Sequence, residues 1–413
     1  MTAATATADT LATARQERPG TIAEAAELLR RAALENERIL FLGGGTELSL
    51  GALPTGVDLV LGTERLERIV EYAPLDQIVI VEAGVRLASL QTVLARSGQM
   101  LALDAPWGAR ATLGGLVATN AFGPRRTRYG SIRDLIIGVT IVRADGTEAR
   151  GGGKVVKNVA GFDVPKLMVG SLGTLGMIAT VTFRLHPLPE ARGTVLFADL
   201  DADAVRRVVL AIRQAQLEPA AVAALVREGG DDLGVRFDGR FELGVRFEGF
   251  EAGVRQQMAR LRDLGTREGW GAEMLDAATA ADFWSRHDRA REAPGGFRAK
   301  LAASPSDLER VANAAIGSLF PALEHPRAVC YPVLGLTFIA GEVRVPGQVV
   351  AAVNAAREAL PQGSVVLHAA PTEIRASVDV WGAPPAALQL MRAVKERLDP
   401  GGRLAPGRFV GGL

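Results

Sequence analysis

Apolar residues recur every three to four positions in some segments and alternate in others, which predicts a chain of mixed helices and strands. The helical period covers residues 21–34, where Thr21 can cap the helix and Glu24 stands at the capping-box position. A second helix is predicted at 87–95. The patterns also predict buried strands at 38–42, 78–81 and 177–185, and a hairpin of 135–143 with 147–150.

The pattern changes after Pro187 and Pro189, which interrupt it. Beyond them, strands are predicted at 194–197 and 241–247, and helices at 202–216 and 252–264. This alternation favours a compact unit of helices and strands from 192 to about 370. Within it, the segment 277–300, which contains His287, is predicted to be a loop or lid. A last helix is predicted at 385–398, followed by coil.

Glycine clusters follow several of the apolar runs in the first half of the chain. They lie at Phe41–Thr46, 111–121, 157–163 and 170–178. Glycine loses the most conformational freedom on folding, so such clusters are expected where a turn, tight packing or a ligand needs bare backbone. One cluster alone would be read as turn glycines. Four in this order favour a surface that approaches a large ligand.

Neither common nucleotide-binding loop fits these clusters. Gly170, Gly173 and Gly176 have the wrong spacing for a dinucleotide-binding fingerprint and precede a predicted strand instead of a helix. A phosphate-binding loop of the Walker type is absent from the sequence.

A ligand-binding surface assembled from several segments fits the glycine clusters better than either of these loops. The backbone N–H groups of Gly43, Gly44 and Gly45 can form an anion nest for a diphosphate, with the Thr46 hydroxyl as a further donor. A second stretch of backbone, which its glycines would allow close to the ligand, carries several hydroxyl and amide groups. It comprises Pro106, Thr112, Gly114, Gly115, Thr119 and Asn120. Together they suit a flat, hydrogen-bonding ring system with a phosphate tail.

Composition narrows the function classes. A length of 413 residues predicts two domains or a domain with a large insertion. The net charge of +1 argues against nucleic-acid binding. A single cysteine, Cys330, excludes an internal disulfide and an iron–sulfur cluster held by this chain alone, and four scattered histidines argue against a metal site. The first 14 residues are predicted to be a frayed tail and not a secretory signal, and no run reaches the roughly 20 apolar residues that span a bilayer.

The motifs resemble those of the FAD-binding domain of the vanillyl-alcohol oxidase / p-cresol methylhydroxylase family. The resemblance covers about 21–189 and the C-terminal tail, and it rests on Gly43–Thr46, Val81–Gly84, Ala111–Gly115, Tyr129–Gly130, Gly170–Gly176 and Pro406–Arg408. Within the family, 157–163, Leu172 and 379–382 are most similar to FAD-binding subunits of bacterial glycolate oxidases.

The resemblance implies an α+β fold: an FAD-binding domain in two subdomains, at 21–189, an α+β cap domain at 190–370 and a C-terminal segment, 371–413, that returns to the FAD domain. It also implies roles for individual residues. The FAD diphosphate would lie at Gly43, Gly44, Gly45 and Thr46, and the flavin and ribityl portion would follow Pro106, Thr112, Gly114, Gly115, Thr119 and Asn120. Backbone contacts would come from Gly173, Thr174, Gly176 and Ile178.

Three departures from the family pattern bear on function. Histidine and cysteine are missing near Gly43–Thr46 and 111–121, so FAD is expected to be noncovalent. Glu47 follows the nest directly, and its carboxylate is expected to point away from the diphosphate. The histidine-rich metal motif of related 2-hydroxy-acid dehydrogenases is also missing.

Candidates for catalysis are few. A substrate carboxylate needs a cation, for which Arg125, Arg126 and Arg128 are available, although a solvated turn is the favoured reading. His368, on an apolar strand, is the best-placed base for the hydroxyl proton, but a lone histidine there is more often a hydrogen-bonded core residue.

Three functions therefore stay open. The resemblance favours an FAD-binding subunit of a multisubunit glycolate oxidase, which works with a sister flavoprotein and an iron–sulfur subunit. Such a subunit would be cytoplasmic and would reach the inner face of the membrane only through its partners. The alternatives are a self-sufficient FAD-dependent oxidoreductase of a small hydroxy acid or alcohol, and a structural subunit that has lost FAD.

Overall fold

The computed structural model describes residues 13–54, 56–155, 161–231, 234–292 and 296–413, which form two compact units. Among the described residues, the first unit comprises 13–123, Tyr129–Leu188 and Ala383–Leu413, and the second comprises Pro124–Arg128 and Pro189–Gly382. The second unit thus extends 12 residues past the predicted boundary at 370. In the described part of the chain, no helix combines the length and the apolar character needed to cross a bilayer.

The described residues of the first unit form ten strands in three sheets. They are β1 Arg15–Glu17, β2 Ile39–Leu42, β3 Leu59–Gly62, β4 Ile69–Ala73, β5 Ile78–Glu82, β6 Gln99–Met100, β7 Ile136–Val142, β8 Glu148–Gly152, β9 Met177–Arg184 and β10 His186–Pro187. A parallel sheet has the order β1-β3-β2, and an antiparallel sheet has the order β4-β5-β9-β7-β8. The pair β6 and β10 forms a small third sheet. The predicted hairpin of β7 and β8 is confirmed.

The α-helices that the structure describes beside these sheets are Ile22–Leu34, Leu87–Ala95, Leu113–Thr119, Ile132–Leu135, Val164–Met168 and Leu388–Leu398. A short helix, Arg126–Tyr129, lies where the chain passes between the units. Thr21 caps the first helix, since its hydroxyl accepts from the Glu24 N–H at 3.1 Å. The Glu24 carboxylate accepts from Gly20 N and not from the cap residue as expected.

One core joins two sheets of the first unit. Leu29 packs from the helix Ile22–Leu34 against Leu59 and Leu61 of β3, and against Val142 and Met177 of β7 and β9. Leu404, from the end of the chain, belongs to the same core and forms a parallel bridge with Ile39. The sequence therefore returns to the first unit after completing the second.

The second unit is an eight-stranded sheet whose pairings among described residues are all antiparallel. Its order is β14-β11-β13-β12-β16-β17-β15-β18, from β11 Ala191–Leu200, β12 Ala221–Asp231, β13 Gly234–Gly249, β14 Ala272–Met274, β15 Phe297–Ala302, β16 Leu323–Tyr331, β17 Leu336–Val343 and β18 Ser364–Ala369. Helices lie at Ala202–Gln214, Glu251–Arg267, Ala277–Arg291, Leu308–Leu319 with a π-helical middle, Pro346–Ala359 and Thr372–Ser377. The predicted α+β class is confirmed.

The prediction of a loop or lid at 277–300 is wrong. Most of that segment is the helix Ala277–Arg291, and it ends inside β15. Asp276 caps the helix by accepting from Thr279 N at 2.7 Å, and Phe283, Trp284 and His287 are its buried face. The many charged residues of the segment suggested a loop, whereas they occupy the exposed side of an ordinary half-buried helix.

Candidate functional site

A cavity that is open to solvent lies in the first unit where three glycine-containing loops meet. Of the fourteen residues predicted to contact a cofactor, eleven line it: Gly43, Gly44, Gly45, Thr46, Thr112, Gly114, Gly115, Thr119, Gly173, Gly176 and Ile178. The structure thus brings together residues that are up to 135 positions apart in the sequence.

The other three predicted residues do not line the cavity. Pro106 is buried, and Asn120 ends the helix Leu113–Thr119 in a left-handed conformation with φ of 51°. Thr174 is buried and its hydroxyl donates to the Ser171 carbonyl at 2.7 Å. These residues shape the loops beside the cavity.

The first loop leaves β2 and closes against the second loop because two glycines lack side chains. A Cβ on Gly43 would lie 2.3 Å from Thr112 Oγ1, and one on Gly44 would lie 2.0 Å from the Arg110 carbonyl oxygen. The Gly44 N–H donates to Thr112 Oγ1 at 3.3 Å. This N–H of the predicted nest therefore ties the two loops together.

The second loop begins the helix Leu113–Thr119, where Thr112 is the N-cap and accepts from Gly115 N at 3.4 Å. Its two glycines differ in their surroundings. A Cβ on Gly114 would lie 2.6 Å from Ala83 Cβ, so Gly114 is needed for packing. A Cβ on Gly115 would meet only Thr112 Oγ1, at 3.1 Å, among its near neighbours. A larger side chain at Gly115 would enter the space that this residue lines.

The third loop is fixed to the same helix by backbone bonds. Gly170 N donates to the Val117 carbonyl and Leu172 N donates to the Ala118 carbonyl, both at 2.9 Å. Leu172 and Gly173 have positive φ values of 51° and 78°. For leucine this conformation is strained and persists only where the surroundings enforce it.

A cation that the sequence analysis gave no role also lines the cavity. Arg408 is 5% exposed, and its guanidinium donates to the backbone carbonyls of Glu47, Leu48 and Leu50. Glu47 is a lining residue as well. Arg408 belongs to one of the segments that carried the family resemblance, and this was the available signal.

The chemistry of the lining suits an anionic, hydrogen-bonding ligand. It combines backbone N–H groups, the hydroxyls of Thr46, Thr112 and Thr119 and one guanidinium. Histidine and cysteine do not occur among the described residues that line the cavity. In the part of the chain that the structure describes, no cluster of three potential metal ligands is present. Of the third glycine cluster of the sequence, Lys157–Ala160 lies outside the described residues.

The candidate cation Arg125 is engaged in the second unit. Its Nη2 donates to Glu248 Oε1 at 2.7 Å, and the Glu248 carboxylate is fully buried. Arg128 donates to the Glu248 carbonyl at 2.6 Å, and Arg126 begins the short helix Arg126–Tyr129. The pairing of Arg125 favours a structural role for this turn.

The candidate base His368 is a half-buried residue of β18 with cations around it. Burial, with the positive charges of Lys300, Arg298 and Arg291, holds the pKa of His368 well below its ordinary value. Its ring contacts Phe338 edge-on, with the centroids 6.4 Å apart. The imidazole is therefore neutral at pH 7.

A buried tyrosine extends this group. Tyr331 Oη accepts from Arg291 Nε at 3.1 Å and lies 3.0 Å from His287 Nε2, whose Nδ1 lies 2.9 Å from Asp288. The Arg291 guanidinium also lies 3.5 Å over the Phe338 ring. The sequence analysis placed His287 and Arg291 in a predicted lid, and it did not identify Tyr331, which lies 44 positions beyond His287 and outside that segment. Cys330 adds no reactivity, since burial raises the pKa of its thiol to about 12.

Comparisons with known proteins agree with this geometry. Residues 16–152 match the family model described as an FAD binding domain. The glycolate oxidase subunit GlcE of Escherichia coli K12 is 31% identical over 261 residues, which are 63% of this chain and 66% of that protein. D-lactate dehydrogenase of Archaeoglobus fulgidus is 37% identical over 41% of this chain and 38% of its own length. The chain spans just under two thirds of the first relative and less than half of the second.

Solved structures extend the likeness to the whole fold. p-Cresol methylhydroxylase with bound substrate superposes with a TM-score of 0.74 over 95% of this chain and 88% of that one, at 16% identity. An alkyldihydroxyacetonephosphate synthase gives a TM-score of 0.70 over 95% of this chain and 76% of its own. The chain therefore has the fold of the p-cresol methylhydroxylase type with an α+β cap, its residues 16–152 match an FAD binding domain, and its cofactor is FAD.

Proposed function

We propose that this chain is the FAD-binding subunit of a multisubunit 2-hydroxy-acid oxidase or dehydrogenase of the glycolate oxidase type. The supporting observation is the cavity in which eleven of the predicted cofactor contacts meet, in a chain similar to GlcE over 261 residues. In this proposal glycolate is oxidised to glyoxylate by the assembled complex.

Different residues of the cavity would contact different parts of a noncovalently bound FAD. The loop Gly43–Thr46 would hold the diphosphate, whose charge would be offset by the Arg408 cation and by backbone N–H groups other than that of Gly44. The ribityl and ring portion follow Thr112, Gly115 and Thr119. FAD supplies the two-electron acceptor for alcohol oxidation. The chain orients it and excludes water from it.

Electron transfer beyond the flavin requires partners. The chain has one cysteine, and a cysteine-ligated iron–sulfur cluster needs four. We therefore assign the cluster to a separate subunit, and we assign substrate oxidation mainly to a sister flavoprotein. Contact with the inner face of a membrane, if the complex makes it, comes through those partners.

The test of the cofactor assignment is the flavin content of the purified chain. One FAD per chain, released intact by denaturation, is expected. A colourless preparation that takes up no added FAD would favour the alternative of a structural subunit that has lost the cofactor.

A self-sufficient oxidoreductase is the second candidate, favoured by the cations around neutral His368. Lys300 and Arg298 could hold a substrate carboxylate, and His368 could take the hydroxyl proton. His368→Ala separates the two functions. The subunit proposal expects the activity of the complex to be largely intact, whereas collapse of turnover with normal FAD content supports the second candidate.

A further inference from the structure

The C-terminal helix Leu388–Leu398 is attached to the first unit in an unusual way. Its one buried residue is a lysine, Lys395, which is 7% exposed, while the apolar Leu390 is 68% exposed. Lysine is among the residues least often buried, and a helix normally packs through an apolar stripe. Half-buried apolar residues also lie along one face of this helix, at Leu388, Met391, Val394 and Leu398, and the polar contacts of Lys395 add to their packing.

The Lys395 ammonium group makes three hydrogen bonds. It donates to Asp399 Oδ2 at 2.6 Å, to the Leu404 carbonyl at 2.8 Å and to the Thr174 carbonyl at 2.8 Å. Asp399, 1% exposed, also accepts from Leu404 N at 2.8 Å. All three donors of the ammonium have partners, which is the condition for burying such a charge.

The hydrogen bond from Lys395 to the Thr174 carbonyl contacts a loop of the cavity and not the cavity itself. Thr174 stands between Gly173 and Gly176, which both line the cavity, but it is not a lining residue itself. The same loop contains Leu172 and Gly173 with positive φ, a conformation that surrounding contacts have to maintain. Lys395 supplies such a contact from 221 residues away in the sequence.

The same C-terminal segment also holds the first loop. Arg408 donates to the carbonyls of Glu47, Leu48 and Leu50, which follow the loop Gly43–Thr46. Between the two contacts, Ala405 N donates to the Ile39 carbonyl of β2 at 2.8 Å. The segment 395–408 therefore bonds to the loops that contribute Gly43–Thr46 and Gly173–Gly176 to the cavity.

We propose that Lys395 is a positioning residue for the flavin: together with Arg408 it makes the segment 395–408 a clamp that sets the two glycine loops at the spacing FAD needs. The inference rests on the proposed placement of FAD in this cavity. Lys395 acts through the Thr174 carbonyl and contributes its donors to the loop instead of to the cofactor.

A merely structural lysine would make a different prediction. Its loss would lower the stability of the folded chain and leave the FAD affinity of the molecules that remain folded unchanged. A positioning lysine alters the affinity and the environment of the bound flavin even where folding is complete.

The experiment measures the FAD dissociation constant and the visible circular dichroism of bound FAD in the full chain, well below the melting temperature. Lys395→Met is expected to weaken FAD binding at least tenfold and to change the flavin spectrum. Arg397→Met removes an exposed cation from the same helix and is expected to leave both unchanged. Leu90→Ala, at a fully buried site that does not line the cavity, is expected to lower the melting temperature without changing affinity.

If Lys395→Met alone does not fold, the double variant Lys395→Met/Asp399→Asn is measured in its place. It removes the buried carboxylate together with the ammonium, keeps an acceptor for Leu404 N, and leaves the Thr174 carbonyl without its donor. The same loss of affinity is expected. An FAD affinity in either folded variant equal to that of Leu90→Ala overturns the inference. An unmodified chain that binds no FAD overturns the cofactor placement, and the inference with it.

Discussion

At the scale of single residues, neighbouring glycines of the cavity meet different surroundings, so a side chain at each would have a different effect. Gly44 and Gly114 are fixed by packing, because a Cβ on either would overlap a neighbouring backbone or side-chain atom. Gly115 lines the cavity, and its added Cβ would meet a single side-chain atom, Thr112 Oγ1, at 3.1 Å. The sequence pattern alone could not separate these cases, because every glycine in it looks alike.

Gly115→Val is expected to abolish FAD binding while the apoprotein keeps its melting temperature, because the valine side chain occupies cavity space. Gly114→Val is the contrasting variant. It should destabilise the fold through its overlap with Ala83, by about 1–3 kcal/mol, as overpacked cores do. Flavin content by absorbance and melting by circular dichroism give the comparison. Normal flavin content in Gly115→Val would refute the assignment of this cavity to FAD.

His368 gives a prediction for pH. Its pKa in the folded chain lies well below 6.5, so the unfolded state binds a proton as pH falls through about 6.5 while the folded state does not. The stability contribution is therefore complete above pH 6.5 and is lost below it. Between pH 7.5 and 5.5 this amounts to about 1 kcal/mol of unfolding free energy.

Urea unfolding at the two pH values tests this. His368→Gln is expected to reduce the loss of stability on acidification by about 1 kcal/mol, whereas His325→Gln, at an exposed histidine, serves as the control. An unchanged pH dependence in His368→Gln would contradict the account of a neutral, cation-surrounded imidazole.

At the scale of elements, the sequence predicted most helices and strands where apolar residues follow a clear period. The helix Leu87–Ala95 and the hairpin of β7 and β8 lie within a residue or two of their predicted positions. The segment 277–300 was misjudged because its charged residues hid the buried face of Phe283, Trp284 and His287. Nothing local in the sequence indicates that His287 meets Tyr331, since β16 is contributed by a distant part of the chain.

The turn at Arg125 was a candidate for substrate binding, but its contacts favour a structural role. Arg125, 12% exposed, pairs with the fully buried Glu248, while Arg192, 52% exposed, lies 3.5 Å from the same carboxylate. Arg125→Met is expected to cost about 3 kcal/mol of unfolding free energy, because it leaves a buried carboxylate with poorer compensation. Arg192→Met should cost less than about 1 kcal/mol. Equal effects in denaturant titrations would contradict the structural role of Arg125.

At the scale of the whole molecule, the family resemblance in the sequence predicted the FAD-binding fold, and the comparisons confirm it. Local patterns could not predict the cavity itself, which needs three loops and Arg408 from four separate segments. The contacts of Lys395 were equally hidden, because its partner Thr174 lies 221 residues earlier. Contacts between residues so far apart in the sequence form only in the packed fold, so local sequence patterns do not reveal them.

The first unit thus has a cavity lined by eleven of the predicted cofactor contacts, and the second unit has cations around a neutral histidine. The central claim is that the chain holds FAD and depends on partner subunits to oxidise a hydroxy acid. The distinguishing property is whether the flavin of the isolated chain accepts electrons from that substrate.

The most direct measurement is anaerobic absorbance of the flavin in the purified FAD-loaded chain, with glycolate added first alone and then with the sister flavoprotein and iron–sulfur subunits. The account predicts no bleaching of the flavin by glycolate in the isolated chain and glycolate-dependent turnover once the subunits are combined. Rapid bleaching by glycolate in the isolated chain would contradict it.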